Sequence, residues 1–119
     1  MNVEKPNVIK KKSYQFALKT ITLYSQMNGQ KEFVLSKQLL RAGTSIGANV
    51  AEATAAQSRK DFISKMSISS KEARETHYWL RLLEDSDLFR DTDFSSALAD
   101  CEELIRILTS IVKTAQESP

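Results

Sequence analysis

The chain has few of the residues that make tight turns. Its 119 residues include 3 glycines and 2 prolines, far fewer than a β-sandwich or barrel needs, so an all-α class is expected. One cysteine, Cys101, excludes an internal disulfide and fits a reducing compartment. One histidine, His77, excludes the two-histidine, four-carboxylate set of di-iron bundles, and a zinc site would have to recruit Cys101 and carboxylates. No metal or other cofactor is therefore expected. No stretch approaches the roughly 20 apolar residues that span a bilayer. The polar, lysine-bearing N-terminus also lacks the apolar run of a secretory signal, so a cytoplasmic protein with no membrane partner is expected. The net charge of +2 is too small to identify a nucleic-acid binder, and clustering of the cations matters more than their sum.

With 41% hydrophobic and 27% charged residues, the composition is that of one compact domain over residues 1–119, with 1–8 as a flexible lead-in. Four helices are predicted. In the first, from Ile9 to Met27, Tyr14, Ala17, Ile21 and Tyr24 recur at spacings of three and four, and Phe16, Leu18, Leu23 and Met27 widen the stripe. Asn28-Gly29 ends it. The second runs from Val34 to Ala56, with Leu35, Leu39, Ala42, Ile46, Val50 and Ala53 on its core face. Beside that face lies a strip of mostly small residues: Leu40, Gly43, Gly47, Ala51 and Thr54. A glycine inside a helix costs about 1 kcal/mol relative to alanine. Gly43 and Gly47 therefore predict close backbone approach, either by helix three, which is also thin in the middle, or by another subunit.

Helix three is expected to be capped by Ser58 and to run to Asp85, with Phe62, Met66, Ser69, Ala73, Thr76, Leu80 and Leu83 inward. In the acidic link from Glu84 to Asp93, Leu88 and Phe89 are expected to tuck under the bundle end. Helix four, Phe94 to Ala115, is capped by Thr92 or Asp93 and carries Phe94, Leu98, Cys101, Ile105, Leu108 and Val112 as its main stripe. Short connections favour an antiparallel up-down four-helix bundle.

No catalytic pattern appears. Glu52, Glu72 and Glu75 have Lys71, Arg74 and Arg81 as company and are expected to be ion-paired or solvated. Cys101 has core periodicity and no basic partner nearby, so an inert thiol is expected. Lys10, Lys11 and Lys12 occupy the start of helix one, where positive charge is mildly unfavourable against the helix dipole. They form either a solvated end or a basic rim that meets phosphate. Ile68, Tyr78, Trp79 and Leu82 lie off the core stripe of helix three and are expected to form an oligomer interface, unless Trp79 instead covers a neighbouring helix of its own chain. Arg41, Ser45, Asn49 and Glu52, at spacings of four, four and three, suggest a polar network between helices two and three, with Lys71, Arg74 or Glu75 as partners; the alternative is a recognition strip.

LLRAGTSIGANVAEA at Leu39–Ala53, followed by KEARETHYWLRLL at Lys71–Leu83, resembles the four-helix-bundle family associated with intervening sequences in bacterial 23S rRNA genes, also described as S23 ribosomal-protein-like. The chain also looks like a relative of the accessory protein of diversity-generating retroelements. The core of the resemblance is carried by Arg41, Ala42, Ser45, Ile46, Asn49, Ala51, Glu52 and Ala53. It implies a protomer that assembles into a homo-oligomeric ring, typically a pentamer, with basic surface that contacts structured RNA or DNA. It also raises a reverse transcriptase or another protein as a possible partner. The candidate nucleic-acid contacts are Lys10, Lys11, Lys12, Lys19, Arg41, Arg59, Lys60, Lys65, Lys71 and Arg74. The alternative is a non-enzymatic scaffold for protein interaction, whose charges are ordinary surface.

Overall fold

The computed structural model describes residues 4–28 and 33–117. They form helices α1 (Glu4–Asn28), α2 (Val34–Thr54), α3 (Arg59–Asp85) and α4 (Ser95–Glu117), with no strand among the described residues. α2 packs between α1 and α3, and α4 closes the square against α3 and α1; α1 and α3 make no close backbone approach. The body measures 50 × 20 × 18 Å. Partners across each seam run in opposite sequence order. Ser13 lies against Gly47 and Thr20 against Gly43, Arg41 meets Glu72 while Glu52 meets Lys65, and Lys12 meets Glu103 while Lys19 meets Ser96.

α3 follows its sequence pattern closely. Met66, Ser69, Ala73, Thr76, Leu80 and Leu83 are buried, and Phe62 is half-buried against them. Ser58 caps the helix, its Oγ accepting from the Asp61 N–H at 3.0 Å. α2 buries Leu39, Ala42, Ile46, Val50 and Ala53 as expected, with Ser36 in place of Leu35. It stops at Thr54, one turn short of helix three's cap.

α1 departs from expectation in both extent and phase. It begins at Glu4 rather than Ile9, so residues 4–8 are helical and not a lead-in. Pro6 is accommodated because a first-turn N–H has no helical acceptor to lose. Residues 1–3 of the expected lead-in and Gly29 of the expected stop lie outside the described residues. The buried line of α1 is Ile9, Ser13, Phe16, Thr20, Leu23 and Met27, whereas Tyr14, Leu18 and Ile21 are 65%, 50% and 49% exposed.

The reason lies in the glycines of α2. A Cβ on Gly43 would sit 2.7 Å from both Thr20 Cγ2 and Oγ1, and one on Gly47 would sit 3.2 Å from the Ser13 carbonyl oxygen. The close neighbour is therefore α1, not α3 and not another subunit. Ser13 and Thr20 can be buried there because their hydroxyls donate to Lys10 O at 3.3 Å and Phe16 O at 2.9 Å, which leaves neither unpaired. The thin middle of α3 serves a different contact: Ser69 Oγ donates to Ile46 O at 2.8 Å and ties α3 to α2.

α4 keeps Phe94, Cys101 and Leu108 of its expected stripe in the core, while the positions between them shift by one. Ala97, Cys101, Leu104, Leu108 and Ile111 are buried, while Leu98, Ile105 and Val112 only flank the core. Its side chains are apolar over a wide arc, which permits this shift. In the link before it, Phe89 is buried at 3% exposure and Leu88 stays 51% exposed, so only one of the pair tucks under the end. Asp93 accepts from the Ser95 N–H at 2.9 Å and from Ser95 Oγ at 2.7 Å. These bonds hold its carboxyl below the usual aspartate value.

Candidate nucleic-acid interface

Cys101 is fully buried, with Sγ 3.2 Å from the Ala73 carbonyl oxygen. Burial first, then the neighbouring Glu102 and Asp100 charges, pushes its thiol up to about 12, so it stays protonated and unreactive as a nucleophile. His77 Nε2 lies 3.0 Å from Glu102 Oε2. Among the described residues no three His, Cys, Asp or Glu side chains gather as a metal site, and no helix is long and apolar enough to cross a membrane.

The ten candidate cations divide into two groups. Lys12 Nζ pairs with Glu103 at 3.1 Å. Lys19 donates to Ser96 Oγ at 2.8 Å and pairs with Asp100. Lys65 pairs with Glu52 at 3.4 Å, and Arg41 pairs with Glu72 at 3.3 Å and with Glu75. Arg74 Nη2 donates to Thr109 Oγ1 at 3.0 Å, and Arg59 is exposed at the start of α3. Lys10, Lys11, Lys60 and Lys71 are exposed as well, and none of these four has a carboxylate at ion-pair distance among the described residues.

The polar strip of α2 splits along its length. Ser45 Oγ donates to Arg41 O at 2.6 Å and Asn49 Nδ2 to Ser45 O at 2.9 Å, both within α2. Only the end members, Arg41 and Glu52, reach α3. Glu75 also accepts from Trp79 Nε1 at 3.2 Å. Of the three α3 partners expected for the strip, Glu75 joins it; Lys71 points to solvent and Arg74 turns to α4.

Among the expected interface residues, Ile68, Tyr78 and Leu82 are 39%, 59% and 37% exposed. Trp79 instead packs half-buried against the core, edge-on to Tyr78 with ring centres 5.3 Å apart. A second exposed apolar face, Tyr14, Leu18 and Ile21 on α1, was not anticipated. It borders a groove floored by Ala17, Thr44, Gly47, Ala48 and Ala51, with Lys10 and Lys11 at its mouth. Apolar residues all round helix one were the available signal, but they do not say which side is covered. Arg106 was also overlooked. With Arg74, His77, Glu102 and Ile105 it lines an open depression between α3 and α4.

The fold has a solved counterpart. A protein of unknown function from the S23 ribosomal protein family of Bacteroides thetaiotaomicron is 51% identical, covering 92% of this chain and 98% of its own, with a TM-score of 0.86. No curated protein matches the chain. The profile described as 23S rRNA-intervening sequence protein matches residues 5–110, a span that reaches into all four helices. The chain belongs to the 23S rRNA-intervening sequence protein family.

Proposed function

We propose that this chain is a non-enzymatic, homo-oligomeric accessory protein that contacts the phosphate backbone of structured RNA or DNA. The observation that carries this reading is the set of exposed cations, Lys10, Lys11, Lys60 and Lys71, that no described carboxylate neutralises. Cations left over in this way release condensed counterions when they meet phosphate, which is the main source of sequence-independent affinity. The protomer in this reading is one antiparallel up-down domain, supported by the opposed pairings across the seams. It acts in the cytoplasm, and a reverse transcriptase or another protein is a further partner consistent with the likeness to retroelement accessory proteins.

Self-association is supported by two exposed apolar faces on helices that make no close backbone approach: Tyr14, Leu18 and Ile21 on α1, and Ile68, Tyr78 and Leu82 on α3. Being diagonal in the bundle, they face away from each other. A head-to-tail contact that seats the α3 face of one protomer against the α1–α2 groove of the next would cover both and close a ring, with a pentamer as the working size. The scaffold reading has its own support, because Lys12, Lys19, Arg41 and Lys65 are used up in ion pairs.

Binding of a labelled structured RNA between about 50 and 200 mM salt separates the two readings. A nucleic-acid protein loses affinity steeply over that range, and glutamates at Lys10, Lys11, Lys60 and Lys71 weaken it further. A scaffold shows no binding even at the lower salt. The mass in solution tests assembly: Leu18→Arg and Leu82→Arg should each lower it, and a monomeric wild type contradicts the oligomer.

A further inference from the structure

We infer that the seam between α3 and α4 is the principal phosphate-binding surface of this protein, and that a nucleic-acid backbone runs along it. This rests on the proposed nucleic-acid reading and gives it a location. On α3, Arg74, His77 and Arg81 follow one another at spacings of three and four and so share a face. On α4, Glu102, Arg106, Thr109 and Lys113 do the same at four, three and four. Two contacts set these rows against each other: His77 Nε2 to Glu102 Oε2 at 3.0 Å, and Arg74 Nη2 to Thr109 Oγ1 at 3.0 Å.

The charge on this seam is one-sided. Arg74, Arg81, Arg106 and Lys113 line it, and the carboxylate in their midst is Glu102. Asp85 and Glu117 lie one turn beyond Arg81 and Lys113, and Glu84 beside Asp85, so the acids mark the ends of the stripe. Among the described residues, Arg81, Arg106 and Lys113 have no carboxylate at ion-pair distance. The other charged seams differ. α1 against α4 pairs Lys12 and Lys19, and α2 against α3 pairs Arg41 and Lys65.

The chemistry favours a phosphodiester chain over a compact ligand. Three of the four cations are arginines, whose planar forks grip two phosphate oxygens at once. Thr109 holds one nitrogen of Arg74 and thereby orients the guanidinium. The depression at Arg74, Arg106 and Ile105 is open rather than enclosed, which suits a strand passing over it. From Glu102 to Lys113 the stripe runs about 16 Å along α4, roughly five steps of a nucleic-acid strand at about 3.4 Å each.

The test uses a labelled uridine homopolymer of twenty nucleotides and a labelled DNA duplex of twenty base pairs, which separate single-stranded from duplex sources of the same chemistry. Against whichever probe the wild type binds, Arg81→Glu with Arg106→Glu should lose at least about tenfold in affinity and flatten the log–log salt slope by about two. Lys37→Glu, a charge reversal at an exposed position of α2, should lose no more than about threefold. Glu102→Gln should bind more tightly by about threefold, a gain that misfolding does not produce. Wild type that binds neither probe at low salt overturns the function itself. Wild type that binds while Lys37→Glu costs as much as the seam pair, or while Glu102→Gln gains nothing, leaves the function standing and overturns this location.

Discussion

Along its flank towards α2, helix α3 answers charge with charge: Glu72 and Glu75 meet Arg41, and Lys65 meets Glu52. Along its flank towards α4 it carries Arg74 and Arg81 beside Arg106 and Lys113, with Glu102 as the opposing carboxylate in their midst. The same helix thus builds one seam whose charges hold the bundle and another whose charges remain available. A formal net charge of +2 conceals this division, because the matched pairs cancel in the sum while unpaired cations remain on the α4 flank.

The largest expected effect tests what sets α2 in place behind its matched seam. Gly43→Ala forces a Cβ against Thr20, whose hydroxyl is already bound to Phe16 O and so is not free to swing away. The variant should lose about 1–3 kcal/mol of stability, despite the roughly 1 kcal/mol that alanine normally gains over glycine in a helix. Urea denaturation measures this, and Thr20→Ala in the same chain should recover most of it. Gly47→Ala should fall closer to neutral, because its nearest neighbour is 3.2 Å away. Next is Ser69→Ala, which removes the hydroxyl bonded to Ile46 O and should cost about 1 kcal/mol. Arg41→Ala should cost less, about 0.5–1 kcal/mol, since its side chain is 49% exposed and surface pairs are weak. Arg106→Ala on the surplus seam should change stability by no more than about 0.5 kcal/mol.

The interior beneath that seam gives the smallest expected signal at neutral pH. Folded protein at pH 8 should leave Cys101 unmodified by a thiol reagent, and rapid labelling would mean that the α3–α4 contact opens. In alkali the sign is fixed by the raised folded value. The unfolded thiol ionises from about 9.0 while the folded one stays protonated to about 12, so stability declines as pH rises through that window.

How much of this is visible in the amino-acid order depends on whether a helix has one apolar side or several. α3 reads correctly because its stripe is narrow, steps regularly and starts at a capping serine, Ser58. α1 does not, because Tyr14, Leu18 and Ile21 compete with Ile9, Phe16, Leu23 and Met27, and the face that is buried also carries Ser13 and Thr20. Those two small polar residues become core residues only when Gly43 and Gly47 stand opposite them, a pairwise fact absent from either helix alone. The cations present the same problem. Lys12 and Lys10 are indistinguishable in sequence, yet Glu103, 91 residues away from Lys12, removes one from consideration and leaves the other. Nothing in the order of α4 sets Arg106 and Lys113 apart, and only the packing of α3 brings Arg74 and His77 beside their row.

The division between matched and surplus charge is tested most directly by comparing Arg41→Glu with Arg106→Glu, which make the same change in charge on opposite flanks of α3. For each, the urea midpoint and the affinity for the labelled RNA are measured at one salt concentration. Arg41→Glu should lower the midpoint, because it sets a third carboxylate beside Glu72 and Glu75, and should leave affinity within about threefold of wild type. Arg106→Glu should keep the midpoint and lose more than about threefold in affinity. Equal losses of affinity in the two variants, or a lower midpoint only in Arg106→Glu, would contradict the account.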